Sequence, residues 1–348
     1  MDNFRNIVPG AIIRNENTQL NYKQTILAIF SAYRDLIDIK LSHKMVNELD
    51  HFKPDVIYTI MGNRRIIRLA YSISKRYKIR IVPHFMDDWI STIYTGSYWL
   101  KLPRFLLLKS INKLMKCANV GFGISQKMCN EYSLKFKIKF VTFMNTINLE
   151  YFNNTSAHPK LNNSITFAFF GGLHLKRWKS LILLAEVLNL ISNETKKDIK
   201  LEIYTKNDDI KKHLSKFNLD NVYFFKNIPH KEACNKMVSS DFLVHIESFD
   251  KSVIQFTRLS ISTKIPEYLA SGRPILAIGP KNIASIEYLI DNKCGYIINS
   301  LVPEEIMSTV YLALSENQDS KIWRYNIELA KNNHSVLQIE LFKEILAN

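Results

Sequence analysis

Residues 260–280 read Ser260-Ile261-Ser262-Thr263-Lys264-Ile265-Pro266-Glu267-Tyr268-Leu269-Ala270-Ser271-Gly272-Arg273-Pro274-Ile275-Leu276-Ala277-Ile278-Gly279-Pro280. A polar loop feeds a short helix, and the helix feeds an apolar strand. Ser262, Thr263 and Lys264 fall where the helix begins, so unpaired backbone N–H groups, two hydroxyls and an ammonium converge on a place suited to a diphosphate. Glu267 lies a turn further on, where a carboxylate accepts hydrogen bonds from a ribose diol. Gly272 ends the helix, and 275–278 has the unbroken apolar character of a parallel strand buried on both faces. The same residues also fit an ordinary helix cap followed by a turn.

Outward from this stretch, apolar runs of strand length alternate with amphipathic runs of helix length, twice over. That alternation predicts an α/β protein with two parallel sheets covered by helices. In the first half the strands are read at 55–60, 79–83, 120–123 and 140–143, with helices at 25–52, 64–76, 103–117 and 126–134. In the second they are read at 165–170, 201–204, 222–225, 242–246, 274–278 and 295–298, with a helix at 179–191 and one or two more at 320–346. Residues 145–163, rich in Asn, Thr and Ser, read as the linker. A chain of 348 residues suits two such domains, which leave a cleft.

Apolar residues make up 47% of the chain, as in a globular protein, and no apolar run is long enough to span a membrane. The opening Met1-Asp2-Asn3-Phe4-Arg5 lacks a secretory pattern, so the expectation is a cytoplasmic protein. Cys117, Cys129, Cys234 and Cys294 show no C-x-x-C spacing and read as buried thiols, not as metal ligands or disulfides. Lys and Arg outnumber Asp and Glu by 47 to 32, for a net charge of +15. That excess favours an anionic partner such as a nucleotide, nucleic acid or acidic lipid, although coding-DNA composition also raises Lys content. No nucleic-acid motif is present, so the expectation is no nucleic-acid partner.

The 260–280 stretch resembles the nucleotide-sugar loop of GT-B glycosyltransferases of the retaining, family-4 type, whose pattern is a Glu, a small-residue turn and Gly-x-Pro before a strand. The resemblance covers roughly residues 50–345 and is strongest over 160–300. It implies two Rossmann-like parallel-sheet domains facing across a cleft. The first, 1–157, lies on the acceptor side; the second, 158–330, binds the nucleotide sugar; 331–348 is a last helix returning to the first domain. The family opens on an apolar strand and a Gly-rich turn, whereas residues 1–21 offer only Ile7-Val8 and Ala11-Ile12-Ile13 around Pro9-Gly10. A shortened first domain and an incomplete chain are both open readings.

Phe170-Gly171-Gly172-Leu173-His174-Leu175-Lys176-Arg177-Trp178 occupies the place where family members carry an Arg and a Lys that neutralise the leaving diphosphate. Gly172 stands at the Arg position and Arg177 at the Lys position, so the second cation is absent or supplied by Lys176, Lys179 or Lys264. Gly171 and Gly172 join Ser262, Thr263, Lys264 and Glu267 in the implied donor site. Leu259 stands where the family has a second Glu, and Glu247, at the end of a predicted strand, is the substitute, since ligands bind at the carboxyl ends of parallel strands. Arg177, Lys264, Glu247 and His84 are the catalytic candidates. His84, in Pro83-His84-Phe85-Met86-Asp87-Asp88-Trp89, corresponds to a His beside the transferred sugar, and Asp87 and Asp88 are candidates for the acceptor hydroxyl. Adjacent aspartates on an extended chain point apart, so no metal is expected. Ile124-Ser125 and Asn145 match structural turns of the family.

On a helical wheel, Lys101, Arg104, Lys109, Lys113 and Lys116 share one half, and Leu107, Leu108, Ile111, Leu114 and Met115 the other. Leu102 and Phe105 lie among the cations. Such a face fits either a plain surface helix or a helix resting on anionic lipid. The resemblance as a whole implies a metal-independent glycosyltransferase of bacterial surface polysaccharide synthesis, without a cofactor, moving sugar from a nucleotide-diphosphate sugar to a glycan or lipid-linked acceptor. The alternatives are a catalytically silent nucleotide-binding or scaffold subunit and, further off, a basic nucleic-acid-binding protein.

Overall fold

A computed structural model describes residues 22–95, 97–152, 164–316 and 320–347. The opening segment 1–21 and the greater part of the predicted linker lie outside the described residues. Two compact units result: one takes the described residues up to Phe143 together with Gln255–Ser260, the other Met144–Ile254 and Ile261–Ala347.

The first unit runs α1 (Tyr22–Arg34), α2 (His43–Phe52), β1 (Val56–Ile60), α3 (Arg64–Tyr77), β2 (Arg80–Phe85), α4 (Trp89–Thr92), α5 (Lys101–Met115), β3 (Val120–Gly123), α6 (Gln126–Phe136) and β4 (Lys139–Thr142). Its four strands are parallel in the order β1-β2-β3-β4. The single helix expected over 25–52 is two. Arg64 Nη1 donates to the carbonyls of Asp35 (3.1 Å) and Leu36 (2.8 Å) beyond the end of α1, and Ser42 Oγ accepts the Met45 N–H at 3.2 Å to start α2. Most of the apolar half of α5 is buried as its wheel predicts: Leu107, Ile111, Leu114 and Met115 are in the core, and Leu108 is half-buried.

In the second unit come β5 (Ser164–Phe170), α7 (Arg177–Thr195), β6 (Asp198–Thr205), α8 (Asn207–His213), β7 (Val222–Lys226), α9 (His230–Ser239), β8 (Phe242–Ile246), α10 (Lys251–Thr257), α11 (Lys264–Ala270), β9 (Ile275–Ile278), α12 (Ala284–Asp291), β10 (Tyr296–Ile298), α13 (Pro303–Glu316), α14 (Ser320–His334) and α15 (Val336–Ala347). Helix α10 ends within the residues grouped with the first unit. The six strands are parallel in the order β10-β9-β8-β5-β6-β7. Alternate residues of β5 and β6, among them Ile165, Phe167, Leu201 and Ile203, pack with Leu181, Leu184 and Leu188 of α7. Each such leucine contributes on the order of 2 kcal/mol by leaving water. On the opposite face Tyr268 of α11 accepts the Phe170 N–H at 3.1 Å and donates to Val244 O at 3.3 Å, which fixes the short helix across β5 and β8.

Contacts group α14 and α15 with the second unit, where the sequence reading expected 331–348 to return to the first. The reason is local: α14 packs on α11, and His334 O accepts the Ile147 N–H at 2.8 Å. The boundary falls after Phe143, earlier than the expected 157.

Candidate functional site

Strand order in the second unit reverses between β5 and β8, which leave β5's outgoing chain to one side and β8's to the other. In open parallel sheets the crevice outside the carboxyl ends of such a strand pair is where ligands bind. Two sequence candidates, Arg177 after β5 and Glu247 after β8, meet there: Arg177 Nη2 is 3.5 Å from Glu247 Oε2.

The β5–α7 loop delivers Arg177 by a specific path. The Gly171 N–H donates to Tyr204 O at 3.1 Å, and the Leu173 N–H donates to Asp209 Oδ2 at 2.9 Å, which also accepts from Thr205 Oγ1 at 3.1 Å. Leu175 and Lys176 then take left-handed backbone, φ 62° and 59°. For side chains with a Cβ this costs roughly 1–2 kcal/mol each. Lys176 Nζ, 2.5 Å from Asp250 Oδ2, ties the strained turn to the segment after β8. Hydrogen bonds from Lys176 and then Ser252 hold the Asp250 carboxyl down at about 2. Lys176 therefore braces the loop, and Arg177 is the cation turned to the crevice.

Glu247 is 3% exposed. Burial pushes its carboxyl up, but Arg177, His245 and Ser285 together outweigh burial and hold it below the usual range, so it is ionised. His245 Nε2 is 3.3 Å from Oε1, while Oε2 accepts no hydrogen bond and Arg177 Nε donates none among the described residues. An ionised, buried oxygen without a hydrogen bond is costly unless a ligand completes it. Gly279, beyond β9, makes room: a Cβ there would lie 2.8 Å from Glu247 Cβ. Ser285, at the start of α12, hydrogen-bonds Glu247 and also accepts the Ser262 N–H at 3.0 Å.

The 262–267 loop is more closed than its sequence implies. The Ser262 N–H is taken by Ser285, the Lys264 N–H faces Ser262 Oγ at 3.4 Å, and the Ile265 N–H donates to Ser262 O at 3.1 Å. Lys264 Nζ donates to Glu267 Oε2 at 2.7 Å, and His230 Nε2 is 3.1 Å from Oε1. Thr263 makes no side-chain cap. The expected open cradle of amides is thus paired internally, and with seven residues α11 is a short anion-facing helix at best. Gly172 leaves space filled by the His174 ring, whose Nδ1 would be 2.2 Å from an added Cβ. Tyr151 stacks edge-on to His230 at 5.4 Å, so the 227–230 loop, Glu267 and Tyr151 adjoin.

In the first unit two readings are corrected. His84 is 3% exposed, with Tyr58 Oη 2.6 Å from Nδ1 and the rings of Phe122 and Phe143 around it. Burial lowers it to about 4, partly offset by the Phe143 backbone, so it is a neutral core histidine and not a group open to a sugar. Asp88 is fully buried and accepts from Tyr132 Oη (2.7 Å), Ser91 Oγ (2.6 Å) and Arg258 Nη2 (3.0 Å). Those three donors make it an internal tie rather than an acceptor ligand. Asp87 keeps an exposed surface, yet the protein around its carboxyl removes part of its hydration and raises it, with a hydrogen bond to Ser260 acting the other way. Sequence reasoning missed His245, Ser285 and Arg258. His245 had a signal: Val244 and Ile246 are core residues, so His245 and Glu247 share the other side of the chain by period two.

No protein-family model matches the chain, and no curated sequence does. Solved structures do. Sucrose-phosphate synthase of Thermosynechococcus elongatus is 12% identical, with 95% of this chain and 82% of that chain covered at a TM-score of 0.64. HepE of Anabaena in complex with UDP-glucose is 14% identical over 87% and 82%, TM-score 0.61. A glycosyltransferase of Rickettsia africae is 17% identical over 88% and 89%, TM-score 0.51. The chain has the GT-B fold. At these identities the likeness is one of fold, and it agrees with the architecture that the 260–280 stretch implied.

Proposed function

We propose that the chain is a glycosyltransferase moving a sugar from a nucleotide-diphosphate sugar to a glycan or lipid-linked acceptor. The observation that carries this reading is the ionised, buried Glu247 with one oxygen lacking a hydrogen bond, set against Arg177 at the strand-order reversal. Arg177 neutralises the departing diphosphate, Glu247 accepts from hydroxyls of the donor sugar, and Glu267 accepts from the ribose once Lys264 turns toward phosphate. With Lys264 turned to the diphosphate, ribose hydroxyls take its place as hydrogen-bond donors to Glu267, so the internal pairing is a resting arrangement. HepE was solved with UDP-glucose, which makes a uridine nucleotide the first donor to try.

Transfer with retention proceeds by front-face substitution. The acceptor oxygen bonds to the anomeric carbon on the face the diphosphate leaves, the carbon–phosphate-oxygen bond breaks, and the acceptor proton passes to the leaving phosphoryl oxygen. Protein cations, with no divalent metal, carry the developing charge. The setting we favour is the cytoplasmic side of bacterial surface polysaccharide synthesis, with Asp87 as the acceptor-side candidate that remains exposed.

A thermal-shift panel of UDP, GDP, CDP and ADP with their common sugars tests the reading. A ligand at about 100 times its dissociation constant stabilises the fold by about 2.7 kcal/mol. One nucleotide series should stand out, and its sugar should appear on an acceptor; no response to any nucleotide removes the proposal. The pairing of Lys264 with Glu267 and His230 also favours a second reading, a silent nucleotide-binding subunit. Nucleotide binding without hydrolysis or transfer of labelled donor would select it.

A further inference from the structure

The first unit carries an apolar surface that the donor site does not use. On α1, Leu27 and Phe30 are each more than half exposed, and so are Tyr98 and Trp99 of the 3-10 turn Tyr98–Leu100 and Leu102 and Phe105 at the start of α5. They form one neighbourhood: α1 packs on that turn, Tyr33 Oη donates to Trp99 O at 3.2 Å, and the turn runs directly into α5. Soluble surfaces scatter single large hydrophobics but seldom gather six, with two aromatics adjacent.

Its charge says what kind of partner it fits. Residues 89–130 contain six Lys or Arg and no Asp or Glu, and α1 likewise has Lys23 and Arg34 and no acid. Lys101 sits over the Tyr98 ring at 4.7 Å and Lys109 beside the Phe105 ring at 6.0 Å, with Lys113 exposed further along α5 and Lys116 exposed just past its end. The nearby acids are engaged: Asp35 with Tyr94 at 2.5 Å, and Asp38 with Arg64 at 2.9 Å and Arg68 at 3.2 Å. Rings with a polar edge beside long-stemmed cations are the mixture that settles at an anionic bilayer's headgroup boundary. A second copy of the chain is a poor occupant, because a two-fold contact would lay one cationic rim on the other.

We infer that α1, the 98–100 turn and the exposed face of α5 form a peripheral docking surface for an anionic lipid bilayer, with Trp99, Phe105 and Phe30 entering the headgroup boundary and Lys101, Lys109 and Lys113 meeting lipid phosphates. The sequence reading placed the lipid option on the basic half of the 101–116 helix alone. The structure moves its centre toward α1, since Arg104, counted among those cations, turns inward to Ile90 O (3.2 Å) and Ile93 O (2.7 Å). No described helix is long and apolar enough to cross a membrane, so the contact lies on the surface. The surface stands independently of glycosyl transfer.

The test is co-sedimentation of the full chain with vesicles of phosphatidylcholine alone and of equimolar phosphatidylcholine and phosphatidylglycerol. Binding should require the anionic lipid and weaken with added salt. Trp99→Ser combined with Phe105→Ser should reduce the partition coefficient by about tenfold or more, with the unfolding temperature and the nucleotide response unchanged. Leu337→Ser with Leu341→Ser, on exposed positions of α15, should leave it unaltered. No sedimentation with anionic vesicles, equal binding to both compositions, or undiminished binding by the Trp99 and Phe105 variant each overturns the proposal. So does a concentration-dependent dimer that this variant abolishes while the parent ignores vesicles. Loss of nucleotide response in the parent counts against the donor site and leaves this surface standing.

Discussion

Arg177 Nη2 stands 3.5 Å from Glu247 Oε2, the first residue of α7 set against the first residue beyond β8. Glu247 is buried and Arg177 half-buried, and the two are not equivalent under mutation. Arg177→Ala strands a buried carboxylate and should cost roughly 3–5 kcal/mol, whereas Arg177→Ala with Glu247→Gln removes both charges and should recover most of that loss. Turnover should stay at least about 10²-fold down in both, because diphosphate neutralisation is gone. Urea unfolding alongside a labelled-donor assay separates the effects. Additive stability losses would show that the two residues do not interact.

Glu267 has a different neighbourhood, with Lys264 Nζ at 2.7 Å and His230 Nε2 at 3.1 Å. Glu267→Ala should abolish nucleotide-dependent stabilisation, about 2.7 kcal/mol at 100 times the dissociation constant. Lys264→Met should preserve nucleoside binding and weaken nucleoside diphosphate binding selectively, since only the phosphates need the ammonium. Equal loss for nucleoside and diphosphate in Lys264→Met would place that residue outside the phosphate site.

Two glycines of the site differ in what their missing Cβ protects. At Gly279 an added Cβ would lie 2.8 Å from Glu247 Cβ and 3.0 Å from Ile286 Cγ1, both anchored on packed elements. Gly279→Ala should therefore cost about 1–3 kcal/mol and displace Glu247, lowering turnover as well. Gly172→Ala clashes with the ring of the exposed His174, which can swing away, and meets Asp209 Oδ2 only at an ordinary 3.5 Å. Its unfolding midpoint should be nearly that of the parent; the reverse order of the two variants would contradict this account of the crevice wall.

The strands of both sheets were legible because buried parallel strands are unbroken apolar runs: 242–246 and 120–123 match β8 and β3, and most others differ by a residue or two at their ends. Break points were harder. Nothing in the local pattern of 25–52 shows that Arg64, thirty residues on, will take the carbonyls past α1. Site residues divided the same way. Glu247 was read from its position at a strand end and Arg177 from the family resemblance, and the order of the strands brings the two side chains together. Asp88 and His84 misled because tertiary partners decide their roles: Arg258 and Tyr132 are 170 and 44 residues away from Asp88, and Tyr58 is 26 from His84. Pairing of Lys264 with Glu267 is a three-residue helical spacing, so that signal was present in the sequence and was read as two separate ligand contacts.

Two buried histidines set a pH dependence. Burial lowers His84 in the first unit and His334 in the second to about 4, each partly offset by a backbone carbonyl contact, at Phe143 and Asn145 respectively. An unfolded histidine titrates near 6.5. Between about 6.5 and 4 the unfolded chain binds protons that the folded chain refuses, so stability is fully present above that window and is lost as pH falls through it. Each group contributes up to about 3 kcal/mol over the full interval. His334 also lies 3.0 Å from Tyr288 Oη, and His84 lies 2.6 Å from Tyr58 Oη, so neutral amides are the nearest polar replacements. Unfolding free energy measured from about pH 7 down to about pH 5 should fall more steeply in the parent than in His84→Gln or His334→Gln, each of which removes one titrating group. If the slopes of all three proteins coincide, the acid sensitivity comes from elsewhere, and neither histidine is held neutral by its burial.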